Sequence, residues 1–382
     1  MRPPDLTKRA LTRVGCAPHT AGVLRAELEA LGCDIQEEDP TGIGVGASLI
    51  ECMPLNLRLR TASHVRWLLA RFRCPSPEAL YTHASSYPWE GLVPKDSTIS
   101  IVSTVDTPKI NNTLHATRVL KDAVVDRMLK HTGTRPDAGP DRSGVVLALH
   151  WVGDRALIYL DTSGRPLSDR GYRKMPHSAP MRETLAAAVL LTMGYDGTTP
   201  LINPMCGAGT LAIEGALIAT GRAPGLLRSD YALKSTVLDI AEPWQEARSE
   251  ARKLARKVPP PPIIATDNDP AAINAAKKNA QAAGVDHLIT FRVCDFEGTP
   301  LPSGPGDVVM NPEYGERLGD TNELRGTYRR IGDWLKQKCA GKTGHIFTAS
   351  RELAGCVGLR AAKRTPFMNA RIECRLLSYP IS

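Results

Sequence analysis

The tetrapeptide Asn311-Pro312-Glu313-Tyr314 closes the apolar run Asp307 to Met310. One amide, one proline-forced turn and one flat ring at the carboxyl end of a strand make a place to hold a nucleobase, although Asn-Pro also opens ordinary turns. Upstream, Asn203-Pro204-Met205-Cys206-Gly207-Ala208-Gly209-Thr210 stands between a strand and a helix. Gly207 and Gly209 let the backbone bend and let a ligand approach where a Cβ would collide. Through Ala212 the segment also satisfies G-x-G-x-x-A, the dinucleotide fingerprint, which expects an acid about 20 residues further on at a strand end. Asp230 has the distance but follows no strand-like run, and Asp267 follows one but comes much later, so that fingerprint fits poorly. Asp267 and Asp269 end the run Ile263 to Thr266, where a carboxylate can accept both hydroxyls of a ribose, and Asp295 ends the next run, placed to accept from an adenine amino group. Each acid alone could be a helix cap. In this order they outline a crevice for an adenosine-bearing cofactor at the carboxyl edge of a parallel sheet.

The elements that must position these residues alternate helix and strand from Met181 onward, the pattern of a parallel sheet with helices on both faces. The expected helices are Glu183 to Met193, Thr210 to Thr220, Trp244 to Val258, Pro270 to Ala283 and Asn322 to Lys338. The expected strands are Thr199 to Ile202, Ile263 to Thr266, Leu288 to Val293, Asp307 to Met310 and His345 to Thr348, with a closing β-hairpin between Leu359 and Ile381. Before Met181 the pattern is α+β. Helical spacing covers His19 to Leu31 and Leu55 to Ala70, with an apolar strand at Ala47 to Cys52 between them. Leu80 to Trp89 and Thr113 to Leu129 follow as helices, and Thr98 to Val105, Val145 to Val152 and Arg155 to Asp161 as strands.

The chain has 382 residues, enough for two or three domains, and its 42% hydrophobic and 23% charged content is that of a folded globular protein. Lys and Arg outnumber Asp and Glu, 48 to 40, a mild excess that favours a polyanionic partner. It concentrates at the joint between the halves, where Arg165, Arg170, Arg173, Lys174 and Arg182 face a single acid, Asp169, with Tyr172 among them. Such a cluster suits backbone contact by cations with a ring for stacking, or a solvated linker. Nine dispersed cysteines without a Cys-x-x-Cys pair read as reduced, mostly buried thiols, and no structural metal is expected. Met1 to Gly15 is charged and lacks the apolar core of a signal peptide, and the longest apolar runs are far too short to span a membrane. A cytoplasmic protein is expected.

The order of glycine turn, acid after the second strand, Asp after the third and Asn-Pro-x-Tyr after the fourth resembles the class I S-adenosylmethionine-dependent methyltransferases that act on exocyclic amines. Leu57 to Ser63, Arg170-Gly171-Tyr172-Arg173, Ala179 to Ala186, Asn203 to Glu214, Arg222-Ala223-Pro224-Gly225 and Ile372-Glu373-Cys374 narrow the resemblance, over nearly the whole chain, to the THUMP-domain N2-guanine methyltransferases of 23S ribosomal RNA. That resemblance implies an α/β chain of three parts. A ferredoxin-like subdomain occupies 1–75, a THUMP RNA-binding domain 76–165, and a Rossmann-like methyltransferase domain 166–382 with a mostly parallel sheet ending in an antiparallel hairpin. It implies S-adenosylmethionine held by Pro180, Asn203, Pro204, Cys206, Gly207, Gly209, Thr210, Asp267, Asn268, Asp295, Phe296 and Asn311. It also implies catalysis by Asn311, Pro312 and Tyr314, and RNA contact through Arg170, Tyr172, Arg173 and Lys174. The partner is 23S ribosomal RNA or its precursor, with transfer RNA and a non-catalytic role in ribosome assembly as alternatives. Some members carry a second methyltransferase domain after this one, and this chain ends without it. Glu313 stands where the family has a second proline, which brings a carboxylate towards the pocket, and Asn369-Ala370 replaces the usual Asn-Gly.

Overall fold

The structure is a computed structural model that describes residues 4–110, 112–175, 181–314 and 321–382. The chain divides into two compact units, one made of Met1–Cys16, Leu24–Leu167 and Arg228–Ala251, the other of Ala17–Val23, Ser168–Leu227 and Arg252–Ser382.

The first unit is built on an eight-stranded sheet in the order β2-β3-β1-β4-β8-β7-β5-β6. In chain order its elements are β1 (Ala10–Cys16), α1 (Ala21–Ala30), β2 (Ile35–Asp39), β3 (Gly42–Ala47), α2 (Leu49–Arg58), β4 (Ala62–Arg73), α3 (Pro77–Ser86), β5 (Thr98–Asp106), α4 (Thr113–Thr132), β6 (Asp137–Ala138), β7 (Val145–Val152) and β8 (Arg155–Asp161). Two expectations are corrected here. The strand expected at Ala47 to Cys52 is the start of α2, because Ser48 and Glu51 form a capping box: the Glu51 amide donates to Ser48 Oγ at 3.2 Å and the Ser48 amide to Glu51 Oε2 at 2.7 Å. The helix expected over Leu55 to Ala70 ends at Arg58, and the rest is β4. Its cause is non-local: the carboxylate of Glu27 accepts the Arg60 and Thr61 amides at 2.7 and 3.0 Å, protons that a continuing helix would donate to its own carbonyls, and β1 and β8 then pair with β4 on either side.

The second unit opens with α5 (Glu183–Met193), β9 (Leu201–Pro204) and α6 (Thr210–Ala219). After the stretch that joins the first unit, which includes most of α7 (Ala241–Lys253), it continues with β10 (Ile263–Asp267), α8 (Pro270–Ala283), β11 (Ile289–Val293), β12 (Asp307–Met310), α9 (Thr321–Lys338), β13 (Thr343–Thr348), α10 (Arg351–Cys356), β14 (Lys363–Asn369) and β15 (Ile372–Pro380). The sheet runs β11-β10-β9-β12-β13-β15-β14, parallel up to β13 and antiparallel across β15 and β14. Successive strand residues point to opposite faces. Leu201, Val309 and Phe347 therefore enter one core, with α5, α6 and α8, while Ile202, Val308 and Ile346 enter another, with α9 and α10. Burial on both faces is why these strands are continuous apolar runs rather than alternating ones.

Asp161 shows how the first unit's sheet is held across its centre. Pairing brings it opposite Arg66, whose Nε donates to Asp161 Oδ2 at 3.2 Å, and His64 Nδ1 lies 2.9 Å from the same oxygen. Burial alone would raise the Asp161 carboxyl, but the charges and hydrogen bonds of His64 and Arg66 outweigh it and hold the group at about 2. A carboxyl depressed in the folded state stabilises the fold above its unfolded value near 3.8 and loses that contribution as pH falls from there through about 2. Asp161→Asn is expected to cost about 2 kcal/mol in urea denaturation at pH 7, a gap that closes as the titration is repeated towards pH 2.

Candidate active site

The carboxyl ends of β9, β10, β11 and β12 each release one of the segments picked out in the sequence. The turn after β9 is wired to the end of β10. The Cys206 amide donates to the Thr266 carbonyl at 2.9 Å, and the Gly207 amide donates to Asp267 Oδ2 at 2.9 Å. Asp267 Oδ1 accepts the Asp269 amide at 3.0 Å, and Asp269 in turn caps α8 by accepting the Ala271 amide. Asp267 thus organises both loops, and each of its oxygens retains a lone pair for a further donor. Asn268 beside it is exposed.

The two glycines have different reasons. Both adopt positive φ, 54° at Gly207 and 81° at Gly209. A Cβ on Gly207 would meet nothing within 4 Å, so the space in front of that turn is open to a ligand. One on Gly209 would lie 2.9 Å from the Ala276 Cβ, so Gly209 lets α6 pack on α8 rather than admitting a ligand. Pro204, Cys206 and Thr210 are buried, and burial pushes the Cys206 thiol well above its ordinary value. Asn203 is fully buried. Its Nδ2 donates to the Val309 carbonyl at 2.9 Å, and its Oδ1 has no partner among the described residues.

At the end of β11, Asp295 Oδ1 accepts the Glu297 amide at 3.0 Å and Arg330 Nη2 at 2.9 Å. Phe296 points into the core, edge-on to Trp334, with the Arg330 guanidinium 4.9 Å from its ring centroid. Any contact of Phe296 with a ligand therefore falls to its backbone.

At the end of β12, Asn311 Oδ1 is buried and accepts no hydrogen bond among the described residues. Pro312 is buried, and Tyr314 is half-buried, touching both cores. Asn369 Nδ2 donates to Tyr314 Oη at 3.1 Å and Cys374 Sγ donates to it at 3.6 Å, so the closing hairpin fixes the ring. Glu313 departs from expectation: its side chain is exposed rather than in the pocket, and Tyr328 Oη donates to its carbonyl at 3.3 Å. That tether holds the loop where a second proline would have stiffened it.

The basic joint is corrected more sharply. Arg170 and Tyr172 are each 1% exposed, which takes both out of reach of an RNA backbone. Arg170 Nε lies 3.6 Å from Glu214 Oε1, and Tyr172 Oη donates to the same oxygen at 3.1 Å. A buried carboxylate on α6 demands such partners. Arg173 donates to Glu183 Oε1 at 3.0 Å and to the Met181 carbonyl at 2.9 Å, and burial lifts the Glu183 carboxyl despite that cation. Lys174 alone of the four keeps an exposed side chain. Pro180, expected at the cofactor, lies outside the described residues, as does Gly315.

Residues 170–378 match the profile of the RMKL-like methyltransferase domain. The chain belongs to that family. Residues 14–66 match the RlmL ferredoxin-like domain and 75–161 the THUMP domain. Ribosomal RNA large subunit methyltransferase K/L of Syntrophotalea carbinolica is 37% identical over 370 residues, which cover 94% of this chain and 52% of that protein. The chain spans about half the length of the curated relatives it matches. Among solved structures, a predicted N6-adenine-specific DNA methylase from Listeria monocytogenes superposes with a TM-score of 0.87 at 29% identity, over 98% of this chain and 97% of that one. A possible methylase from Clostridium difficile 630 does so with 0.87 at 27%, over 98% and 99%.

Within this methyltransferase domain, Asn279 was not singled out in the sequence. It is 1% exposed, its Oδ1 accepts the Lys174 and Met175 amides at 2.9 and 3.0 Å, and its Nδ2 donates to the Met175 and Ala208 carbonyls at 3.1 and 3.2 Å. One amide thus pins the joint to the glycine turn. The only hint in the sequence is an Asn on the apolar side of an alanine-rich helix.

Two stability predictions follow from this geometry. Gly207→Ala is expected to cost about 1 kcal/mol for its positive φ alone, while Gly209→Ala adds the collision with Ala276 and costs more, a ranking read by thermal denaturation. Ala370 sits at φ 54° in the hairpin turn, so Ala370→Gly is expected to stabilise the protein by about 1 kcal/mol in the same assay.

Proposed function

We propose that this chain transfers a methyl group from S-adenosylmethionine to the exocyclic N2 amine of a guanine in 23S ribosomal RNA. In this reading it is a cytoplasmic enzyme with a ferredoxin-like part to about residue 75, a THUMP part to about 165 and the catalytic domain after that. The observation that carries the reading is the Asn311 side-chain oxygen at the end of β12, a buried acceptor without a partner among the described residues. Such an atom is costly unless a ligand supplies a donor, and an amine on a base supplies two. The RNA class is supported by the THUMP match and by the names of the relatives.

S-adenosylmethionine supplies an electrophilic methyl on a sulfonium. The residues present fit it: the open face of Gly207, the Asn203 oxygen, unpartnered among the described residues, and the Asp267 and Asp295 carboxylates stand at adjacent strand ends. Asn311 Oδ1 and the Pro312 carbonyl accept the two N–H bonds of the amine and aim the nitrogen lone pair, which ring delocalisation otherwise makes a poor nucleophile. Tyr314, held by Asn369 and Cys374, offers its face to the extruded base. The amine proton leaves after methyl transfer, so no strong base is needed and rate comes from positioning.

The test is methyl transfer to protein-free large-subunit ribosomal RNA, with N2-methylguanosine read by mass spectrometry. Asn311→Ala is expected to lower the rate roughly 10²-fold or more, with cofactor binding measured alongside by calorimetry so that lost methyl transfer is separated from lost cofactor. Unmodified RNA, equal rates for the two proteins, or methyl groups on adenine N6 would each sink the reading.

A further inference from the structure

The stretch Arg228–Ala251 lies between two segments of the second unit in the chain, yet it belongs to the first. With Arg142 and Arg165 it walls a cavity of about 170 Å³ that includes Arg228, Asp230 and Lys234 in its lining. Four cations and one carboxylate leave this hollow with a formal excess of three positive charges. Its volume is below the roughly 300 Å³ at which sites for whole small molecules begin, so it suits one compact anionic group rather than a nucleobase.

The charge is built in. Arg228 has a side chain only 2% exposed, and all five of its N–H groups are occupied: Nε and Nη2 donate to the Asp230 carbonyl, Nη1 to the Arg165 and Pro166 carbonyls, and Nη2 also to the Ser163 carbonyl. Its guanidinium lies 4.7 Å from the Tyr231 ring centroid. This cation therefore fixes the cavity and supplies field without gripping anything itself. Asp230 is turned to Arg165, whose Nε and Nη2 both lie 2.8 Å from its Oδ2. The donors left at the rim are Lys234, exposed and giving one N–H to the Ser229 carbonyl, and Arg142, which no carboxylate pairs among the described residues.

We propose that this cavity in the first unit seats one backbone phosphate of the RNA substrate, gripped by Arg142 and Lys234 in the field of Arg165 and Arg228. The proposal rests on the RNA-methyltransferase reading and adds where the polyanion is held. A second, net-basic hollow on the same unit, lined by Arg71, Arg73 and Arg155 with Phe72 and one acid, Asp154, which pairs with Arg73, favours an extended polyanion over a free ion. Phosphate contacts of this kind set the register of the RNA and leave the chemistry to the other unit.

The test uses the full chain with Arg142→Ala and Lys234→Ala combined, both side chains lying outside the hydrophobic cores. Affinity for protein-free large-subunit ribosomal RNA is measured across a salt series. The variant is expected to bind roughly tenfold more weakly at low salt, with the slope of log affinity against log salt shallower by about one to two. Methyl transfer should keep its kcat and raise its KM for RNA. Unchanged affinity and slope, with methyl transfer proceeding, overturns the pocket and leaves the enzyme reading standing. If inorganic phosphate protects the parent protein from thermal unfolding, fails to protect the variant, and RNA affinity is the same for both, the cavity is a free-anion site and the RNA assignment fails. A parent protein that binds no RNA at any salt overturns both.

Discussion

The hydrogen bond from Asn203 Nδ2 to the Val309 carbonyl crosses from β9 to β12 one step beyond the last residues paired in their ladder, Ile202 and Val308. There the main-chain ladder between these two strands has ended, although each still pairs with its other neighbour, so this side chain continues the link between them. It sets the separation between the glycine turn and the strand that delivers Asn311. The same geometry leaves two amide oxygens, of Asn203 on β9 and of Asn311 just past β12, buried and without partners among the described residues. A native protein tolerates such atoms where something else is to bind. The glycine turn, Asp267 and the tethered Tyr314 are arranged around that pair.

Around this centre, polar side chains hold loops in place rather than meeting solvent. Asn279 ties residues 174 and 175 to the turn, Tyr328 holds the Glu313 carbonyl, and Glu214 gathers Arg170 and Tyr172 inside the domain. The stretch from Arg170 to Arg173 is therefore a strap whose two cations neutralise carboxylates of α5 and α6. Burial also explains why its residue types resemble a nucleic-acid patch. An arginine that must satisfy an interior carboxylate and one that must meet a phosphate are the same choice, made for the same planar array of donors.

Basic character at the surface of the first unit comes instead from residues far apart in the chain. Arg142 precedes β7, Arg165 follows β8, and Arg228 and Lys234 come from a stretch that interrupts the methyltransferase domain. Arg228 is the element that makes them one site, because it donates five hydrogen bonds to four backbone carbonyls that converge on it.

By itself the sequence determined the parallel half of the molecule closely. Strands buried on both faces must be unbroken apolar runs, the alanine-rich helix announces its ends with Asp269 and Gly284, and the ligand-facing segments must sit where strands end. It also placed Asn311, Tyr314, Gly207 and Asp267 in one region, since in a parallel sheet every carboxyl end lies on the same edge. Tertiary structure decided what local pattern does not encode. Glu27 halts a helix from more than thirty residues away, Ala276 gives Gly209 its reason, and Tyr328 draws the Glu313 carbonyl inward while the carboxylate stays out. Whether an arginine is a hand for RNA or a bolt in the core depends on which carboxylate the fold brings to it, and that is settled only when distant segments pack.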